Sequence, residues 1–94
     1  MCTTISDQVT ITGSGKNGQG WFRVDRAVVG YDHPSHAPLE HAILLDFTGR
    51  SAGSPQRVPV ELSLDSAREL ATMLAETIRQ AEAYERTLDA ASLS

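Results

Sequence analysis

The sequence has one cysteine, few aromatic residues and no long apolar run. Cys2 cannot form a disulfide within the chain, which agrees with a reducing compartment. No window approaches the roughly 18 consecutive apolar residues of a membrane span. Residues 1–7 also lack the basic and apolar regions of a secretion signal. We therefore expect a soluble, cytoplasmic protein without a membrane partner.

Basic residues are few as well. Seven arginines and a single lysine stand against twelve acidic residues, and the formal net charge is -4. Because a nucleic-acid binder needs a basic stripe to neutralise phosphates, this composition argues against a nucleic-acid partner. The preference for arginine over lysine is typical of a GC-rich bacterial genome. The length of 94 residues predicts one small domain, residues 1–94, that would gain stability from oligomerisation.

Four stretches have the residue pattern of β-strands. They are residues 5–12, 21–31, 42–48 and 57–62. The alternation fails near Asp25, which predicts a β-bulge, and Pro59 predicts an edge strand. Between the first two stretches, residues 13–20 match the spacing G-x-G-x-x-G. A strand follows these glycines where a dinucleotide site needs a helix, so we interpret them as a long flexible hairpin loop.

A long amphipathic helix follows the last strand. Ser63 is suited to cap it, and apolar residues recur at helical spacing from Ala67 to Leu88. Short connections favour a meander, so the predicted fold class is α+β: a four-stranded antiparallel meander sheet packed by one long C-terminal helix. The helix should overhang the sheet, which leaves Tyr84 and Leu88 for a second copy. We therefore expect a homodimer.

The segment 31–41 differs in composition from the rest of the chain. It contains all three histidines, two of the four prolines and the carboxylates of Asp32 and Glu40. The simplest hairpin registers place Thr12 opposite Trp21, Tyr31 opposite His41 and Phe47 opposite Val58. Extended along the strands, these registers bring Cys2 opposite Tyr31 and the start of the helix to the same end of the sheet.

A thiolate and several imidazoles at one end of a sheet predict a metal site. The expected ligands are Cys2, His33, His36 and His41, which suit Zn, Cu, Ni or ferrous Fe. Asp32 or Glu40 would orient an imidazole or act as a general base in catalysis. The leading hypothesis is thus a transition-metal-binding protein that acts as a small metal-dependent enzyme if the site keeps an open position.

Two other interpretations remain open. The first is a non-catalytic homodimeric interaction module, in which Pro34 and Pro38 stiffen a polar turn and the histidines belong to a binding surface. The second is a small-molecule-binding module with an apolar pocket between helix and sheet. Metal analysis of the purified protein separates the leading hypothesis from both.

Several short motifs together resemble a known family. They are Gly-Ser-Gly-Lys at 13–16, Gly-Trp-Phe at 20–22, Asp-His-Pro at 32–34, His-Ala-Pro at 36–38, Glu-His at 40–41, and Val-Glu-Leu at 60–62 leading into Ala-Arg at 67–68. In this combination the chain resembles a family of short, uncharacterised bacterial proteins, found mainly in actinomycetes, that begin Met-Cys-Thr. The resemblance reaches about Leu74 and implies no established activity.

Overall fold

The fold consists of four strands followed by one helix, and the computed structural model describes residues 5–93. The strands are β1 (Ile5–Asn17), β2 (Gly20–Asp32), β3 (Ala42–Ser51) and β4 (Ser54–Leu62), and the helix is α1 (Leu64–Leu93). The strands form one sheet in the order β1-β2-β3-β4, with every neighbouring pair antiparallel. The predicted α+β class, a four-stranded antiparallel meander with a C-terminal helix, is therefore confirmed. The sheet lies in one compact unit, Met1–Leu64, and nearly all of the helix in a second, Asp65–Ser94.

The first hairpin is tighter than the sequence predicted. Residues 13–17 continue β1, and Asn17 pairs with Gly20 across a two-residue connection in which the Asn17 side chain accepts a hydrogen bond from the Gln19 N–H. The expected long flexible loop over residues 13–20 is thus wrong. Gly15 serves packing instead, because a Cβ there would lie 3.1 Å from Val24 Cγ2.

Two of the three predicted registers also differ from the observed ones. Phe47 pairs with Val58, as predicted. Tyr31, however, pairs with Ile5 on one side and Ile43 on the other, so the expected partners Cys2 and His41 are wrong. Trp21 likewise pairs with Lys16 and not with Thr12. The errors in the first hairpin result from the extra paired residues near its turn. The second register differs because Asp32 pairs with Ala42, which places the connecting loop at residues 33–41, one position later than a pairing of Tyr31 with His41 implies.

The predicted bulge in β2 is present. The β2–β3 register shifts between Val24 and Arg26, and this shift restores a consistent two-sided pattern. One side, the apolar face, carries the cross-strand row Ala27, Phe47 and Val58, together with Phe22 and Val24. The other side, the arginine face, carries the row Arg26, Thr48 and Arg57.

Three of the buried core residues, Phe22, Val24 and Ala27, lie on the apolar face, and Ala42 is buried at the start of β3. Phe22 and Val24 are only 5% and 4% exposed, whereas Trp21, on the arginine face, is 68% exposed and does not belong to the core. The sheet curls around this core, because Asn17 Nδ2 on edge strand β1 donates to Gln56 Oε1 on edge strand β4 at 2.7 Å. The edge position of β4 also accommodates Pro59, as predicted.

The helix begins directly after Ser63 and runs to Leu93. It carries ion pairs one turn apart, between Asp65 and Arg68 and between Glu76 and Arg79. Such pairs stabilise a helix modestly. Over the described residues, no helix combines the length and apolar character that crossing a membrane requires.

Candidate functional site

The loop between β2 and β3, residues 33–41, is tied to the arginine face by one carboxylate. Glu61 on β4 accepts hydrogen bonds from three successive backbone N–H groups of the loop. They come from Ser35 at 2.6 Å, His36 at 3.0 Å and Ala37 at 2.9 Å. Glu61 pairs with Leu44 in the sheet, so these bonds bring the loop over the arginine face at the end where β4 leads into the helix.

These bonds favour the ionised form of the Glu61 side chain. The hydrogen bond from Ser35 lowers the pKa of Glu61 most, and those from Ala37 and His36 lower it further. Partial burial acts in the opposite direction, and the nearby His36 charge adds to the lowering. The net direction is downward from the ordinary value, so Glu61 stays charged at neutral pH and keeps the loop in place.

Three aromatic rings stack at the base of this loop. The His41 ring lies between Tyr31, with centroids 5.3 Å apart and planes 19° apart, and His33, with centroids 4.5 Å apart and planes 29° apart. The prediction that histidines of this segment lie at the Tyr31 end of the sheet is therefore correct in outline. The contact is a stack, however, and not a direct cross-strand pair.

Hydrogen bonds fix the His33 ring and backbone. His33 Nδ1 lies 2.9 Å from the backbone carbonyl of Glu40. Since a carbonyl oxygen only accepts, Nδ1 is the donor in this hydrogen bond. Asp32 Oδ1 accepts from the His33 backbone N–H at 2.7 Å. In these two bonds neither candidate carboxylate orients an imidazole. Glu40 contacts the His33 ring through its backbone carbonyl, and the Asp32 carboxylate contacts the His33 backbone.

The stack bears on the predicted metal ligands. An ion bound by an imidazole lies in the plane of the ring, close to the nitrogen. The rings of His33 and His41 stack face to face, and a shared ion would have to lie in the planes of both rings. Among residues 5–93 no group of three or more His, Cys, Asp or Glu side chains is arranged to hold a metal ion. Cys2 lies outside the described residues, so the four-residue metal site stays a prediction.

A cleft of about 800 Å³ lies on the arginine face beside the loop. Its apolar lining comes from Val28, Gly30, Leu44 and Pro59, on three adjacent strands. Ser35, His36 and Ala37 of the loop form one side. The opposite side is the ion pair of Arg57 and Asp46, with Nη2 to Oδ2 at 2.7 Å and Nε to Oδ1 at 3.1 Å. Small-molecule sites commonly combine such a volume with an apolar floor and a few fixed polar groups.

Two features of this site were missed by sequence reasoning. Glu61 stands in an alternating strand, where a polar residue usually faces solvent, and its partners lie 24 to 26 positions away. Arg57 and Asp46 are likewise ordinary strand residues in the sequence. The only sequence signal is parity within each strand. Asp46 shares a parity with Leu44 on β3, and Glu61 shares one with Arg57 on β4. Because Glu61 pairs with Leu44, the register puts all four on one face of the sheet.

The fold and the site define a small α+β protein with a polar loop fastened over one face of an antiparallel sheet. The chain belongs to a family described as "Family of unknown function (DUF6295)", whose model matches residues 1–87. The expected membership of an uncharacterised family is thus confirmed, and the match extends beyond Leu74 well into the helix. Comparison with curated proteins and with solved structures gave no match.

Proposed function

We propose that this protein is a non-catalytic binding module whose ligand is a small, mostly apolar molecule with a polar group, bound in the cleft on the arginine face. The observation that supports it is the attachment of the loop to Glu61, because three hydrogen bonds from consecutive N–H groups to one carboxylate hold a cleft wall in place before any ligand arrives. Such preorganisation lowers the entropy cost of binding.

The lining indicates how such a ligand would be oriented. Val28, Leu44 and Pro59 supply apolar contact area in the floor. The side chains of Arg57 and Asp46 already pair with each other, so they offer a fixed dipole and not a free charge. A ligand would therefore place its apolar part on the floor and its polar group toward the Arg57 side.

A dye with this character tests the proposal. Anilinonaphthalene sulfonate should bind with increased fluorescence to the folded protein, and Val28→Phe, which fills the floor, should abolish most of that increase. Val9→Phe on the opposite face is the matched control and should leave dye binding unchanged, provided both variants unfold cooperatively at similar temperatures. Equal dye binding by the two variants contradicts a ligand site in the cleft.

Transition-metal binding through Cys2, His33, His36 and His41 is a second candidate, with Zn, Cu, Ni or Fe as the ion. It is favoured by the bond from His33 Nδ1 to the Glu40 carbonyl, since metal-binding histidines commonly use the second nitrogen in this way and present the other to the ion. His41 would have to leave the stack to join the same ion. In this function Glu40 or Asp32 would serve as a general base only if a site on the ion stays open.

Elemental analysis of protein purified without chelator separates the two candidates. Stoichiometric metal that is lost in both Cys2→Ser and His33→Ala supports the metal site. Metal-free protein that folds normally and gains no metal on dialysis contradicts it. The dye experiment is independent of this result.

Assembly as a homodimer through α1 belongs to the same proposal. The helix carries apolar residues at alternating spacings of three and four, which is the repeat of a coiled-coil seam. These residues are Ala67, Ala71, Leu74, Ile78, Ala81 and Leu88. The only seam position between them that is not apolar is Glu85.

A further inference from the structure

A second hollow, of about 340 Å³, lies beside the cleft on the arginine face and has a different chemistry. Three arginines line it, namely Arg26, Arg50 and Arg57, together with Thr48 and one acidic residue, Asp25. Arg26, Thr48 and Arg57 form one cross-strand row, and Arg50 lies in the next row on the same face. Arg57 lines both the cleft and the hollow, whereas Arg26 and Arg50 line only the hollow, so the hollow adds two guanidinium groups that the proposed function does not use.

The bulge in β2 concentrates this positive charge. Arg23 and Arg26 are three positions apart, and in a regular strand they would point to opposite faces. With the register shift, Arg23 pairs with Arg50 and Arg26 pairs with Thr48, and both pairs lie on the arginine face. Arginines that are scattered in the sequence are therefore neighbours in the sheet.

The carboxylates nearby do not neutralise these four guanidinium groups. Asp46 is engaged by Arg57. The nearest polar contact of Arg26 is a weak one, 3.4 Å to Gln8 Oε1, and Arg50 donates to the Gly53 carbonyl. Within the described residues, Arg23 and Asp25 make no side-chain hydrogen bond or ion pair. Four positive groups against two carboxylates leave an excess of positive charge here, in a chain whose net charge is -4.

The pairing of Arg23 with Arg50 opposes folding. Like charges directly opposite each other on antiparallel strands destabilise a sheet. An anion seated among the guanidinium groups would remove this repulsion, so it would stabilise the folded state by binding to it. A feature that costs stability in the free protein is typical of a binding site.

We propose that this hollow binds the phosphate group of a small anionic ligand. Guanidinium groups present paired N–H donors that match phosphate oxygens, and the Thr48 hydroxyl adds a further donor. The helix unit does not extend this positive charge, because it carries six acidic and three basic residues. It therefore offers no basic surface along which a nucleic-acid strand could bind. The ligand is thus a compact phosphate compound and not a polynucleotide.

Pyrophosphate is a suitable probe, and the single tryptophan reports on it. Trp21 lies on the same face two residues before Arg23, with Lys16 Nζ 6.0 Å from its ring centroid. At constant ionic strength, pyrophosphate should change Trp21 fluorescence saturably and raise the unfolding temperature. Arg26→Gln should weaken the apparent affinity about tenfold through loss of one charge-assisted contact. Arg86→Gln, the same change on the helix, should have no effect.

Arg23→Thr tests whether Arg23 serves anion binding or the stability of the sheet. It should raise the unfolding temperature of the free protein, because the repulsion with Arg50 is gone, and it should reduce the further rise on adding pyrophosphate. Two results overturn the proposal: a response that sodium chloride reproduces at equal ionic strength, or tighter binding of a single-stranded oligonucleotide than of pyrophosphate. A lower unfolding temperature in free Arg23→Thr would also contradict it.

Discussion

At the residue scale, Glu61 controls the loop that shapes the cleft. Glu61→Gln removes the negative charge and leaves only one good acceptor for three N–H groups. We expect the amide protons of Ser35, His36 and Ala37 to exchange faster with solvent, while those in the middle of β3 are unchanged. Hydrogen exchange followed by NMR measures this directly.

Glu40→Gln is the matched control for this change. Glu40 lies in the same loop, but its backbone carbonyl, and not its side chain, accepts the hydrogen bond from His33. The substitution should therefore leave the exchange of the Ser35 to Ala37 amides unaltered. Equal acceleration in the two variants would mean that loop charge in general, and not the contact with Glu61, holds the loop.

The lowered pKa of Glu61 gives the loop a pH dependence of known sign. A carboxyl whose folded-state pKa lies below its unfolded value stabilises the fold fully above the unfolded value, about 4.3, and loses that contribution as the pH falls through the folded value. The loop should therefore stay attached at neutral pH and release in acid. In an NMR titration, the Ser35 and Ala37 amide shifts should move only below the ordinary carboxyl pKa, and in Glu61→Gln this transition should be absent.

Gly49 marks the closest approach of two backbones in the sheet. A Cβ at this position would collide with the Arg23 carbonyl oxygen beside the bulge. Gly49→Ala should lower the free energy of unfolding by about 1–3 kcal/mol, the range of an overpacked site. Gly13→Ala is the control, because a Cβ there meets nothing within 4 Å. Urea denaturation compares them, and equal stability would show that the bulge absorbs the methyl group.

At the element scale, the ring stack connects β2, the loop and β3. Removing the central ring in His41→Ala breaks both ring contacts at once. Each aromatic pair is worth about 0.5–1.5 kcal/mol beyond area burial, and these partly exposed rings belong at the lower end. We expect a small loss of stability by urea denaturation and shifted ring-proton resonances of Tyr31 and His33. His41→Phe should restore both, and its failure to do so would point to a polar role for His41.

The elements also show what a sequence pattern can and cannot predict. Alternation of apolar residues identified all four strands, because one face of each strand packs on a core. It did not identify the strand ends at residues 13–17, since Gly, Ser and Asn there join β1 only through cross-strand pairing. The register of the first hairpin was wrong for the same reason. That of the second was wrong by the position of the loop 33–41, while that of Phe47 with Val58 was correct.

For the candidate site, composition identified the segment but not its contacts. The three histidines and two prolines of residues 31–41 stood out in the sequence, and two of the histidines do stack together. The carboxylate that holds the loop comes from a different strand. Arg23 and Arg26 lie on the same face of the sheet because of the bulge, which was predicted. That the bulge also brings them close to Arg50 can be recognised only once their partners on β3 are known.

At the scale of the whole molecule, helix length no longer favours a dimer, but the apolar repeat of the helix does. The 13 residues of β1 span about 43 Å and the 30 residues of α1 about 45 Å, so the helix exceeds the longest strands only slightly. The seam from Ala67 to Leu88 is independent of that comparison. It still predicts that two copies associate through their helices.

Glu85 gives this dimer a specific weakness. It occupies a seam position, where burying a carboxylate in an apolar interface is costly. The helix unit also carries a net charge of -3, six acidic residues against three arginines, so two helices repel each other at low salt. Association measured by light scattering or sedimentation should therefore strengthen as salt is raised, and Glu85→Leu should strengthen it further.

Glu69→Leu separates seam burial from a general gain of apolar surface. Glu69 lies on the opposite side of the helix from the seam, so the same substitution there should leave the monomer–dimer equilibrium nearly unchanged. A variant that ends at Ala83 loses Glu85 and Leu88 together and should be monomeric at concentrations where the full chain dimerises. If the full chain stays monomeric in high salt, and if Glu85→Leu does not change its mass, the helix is not a dimer interface.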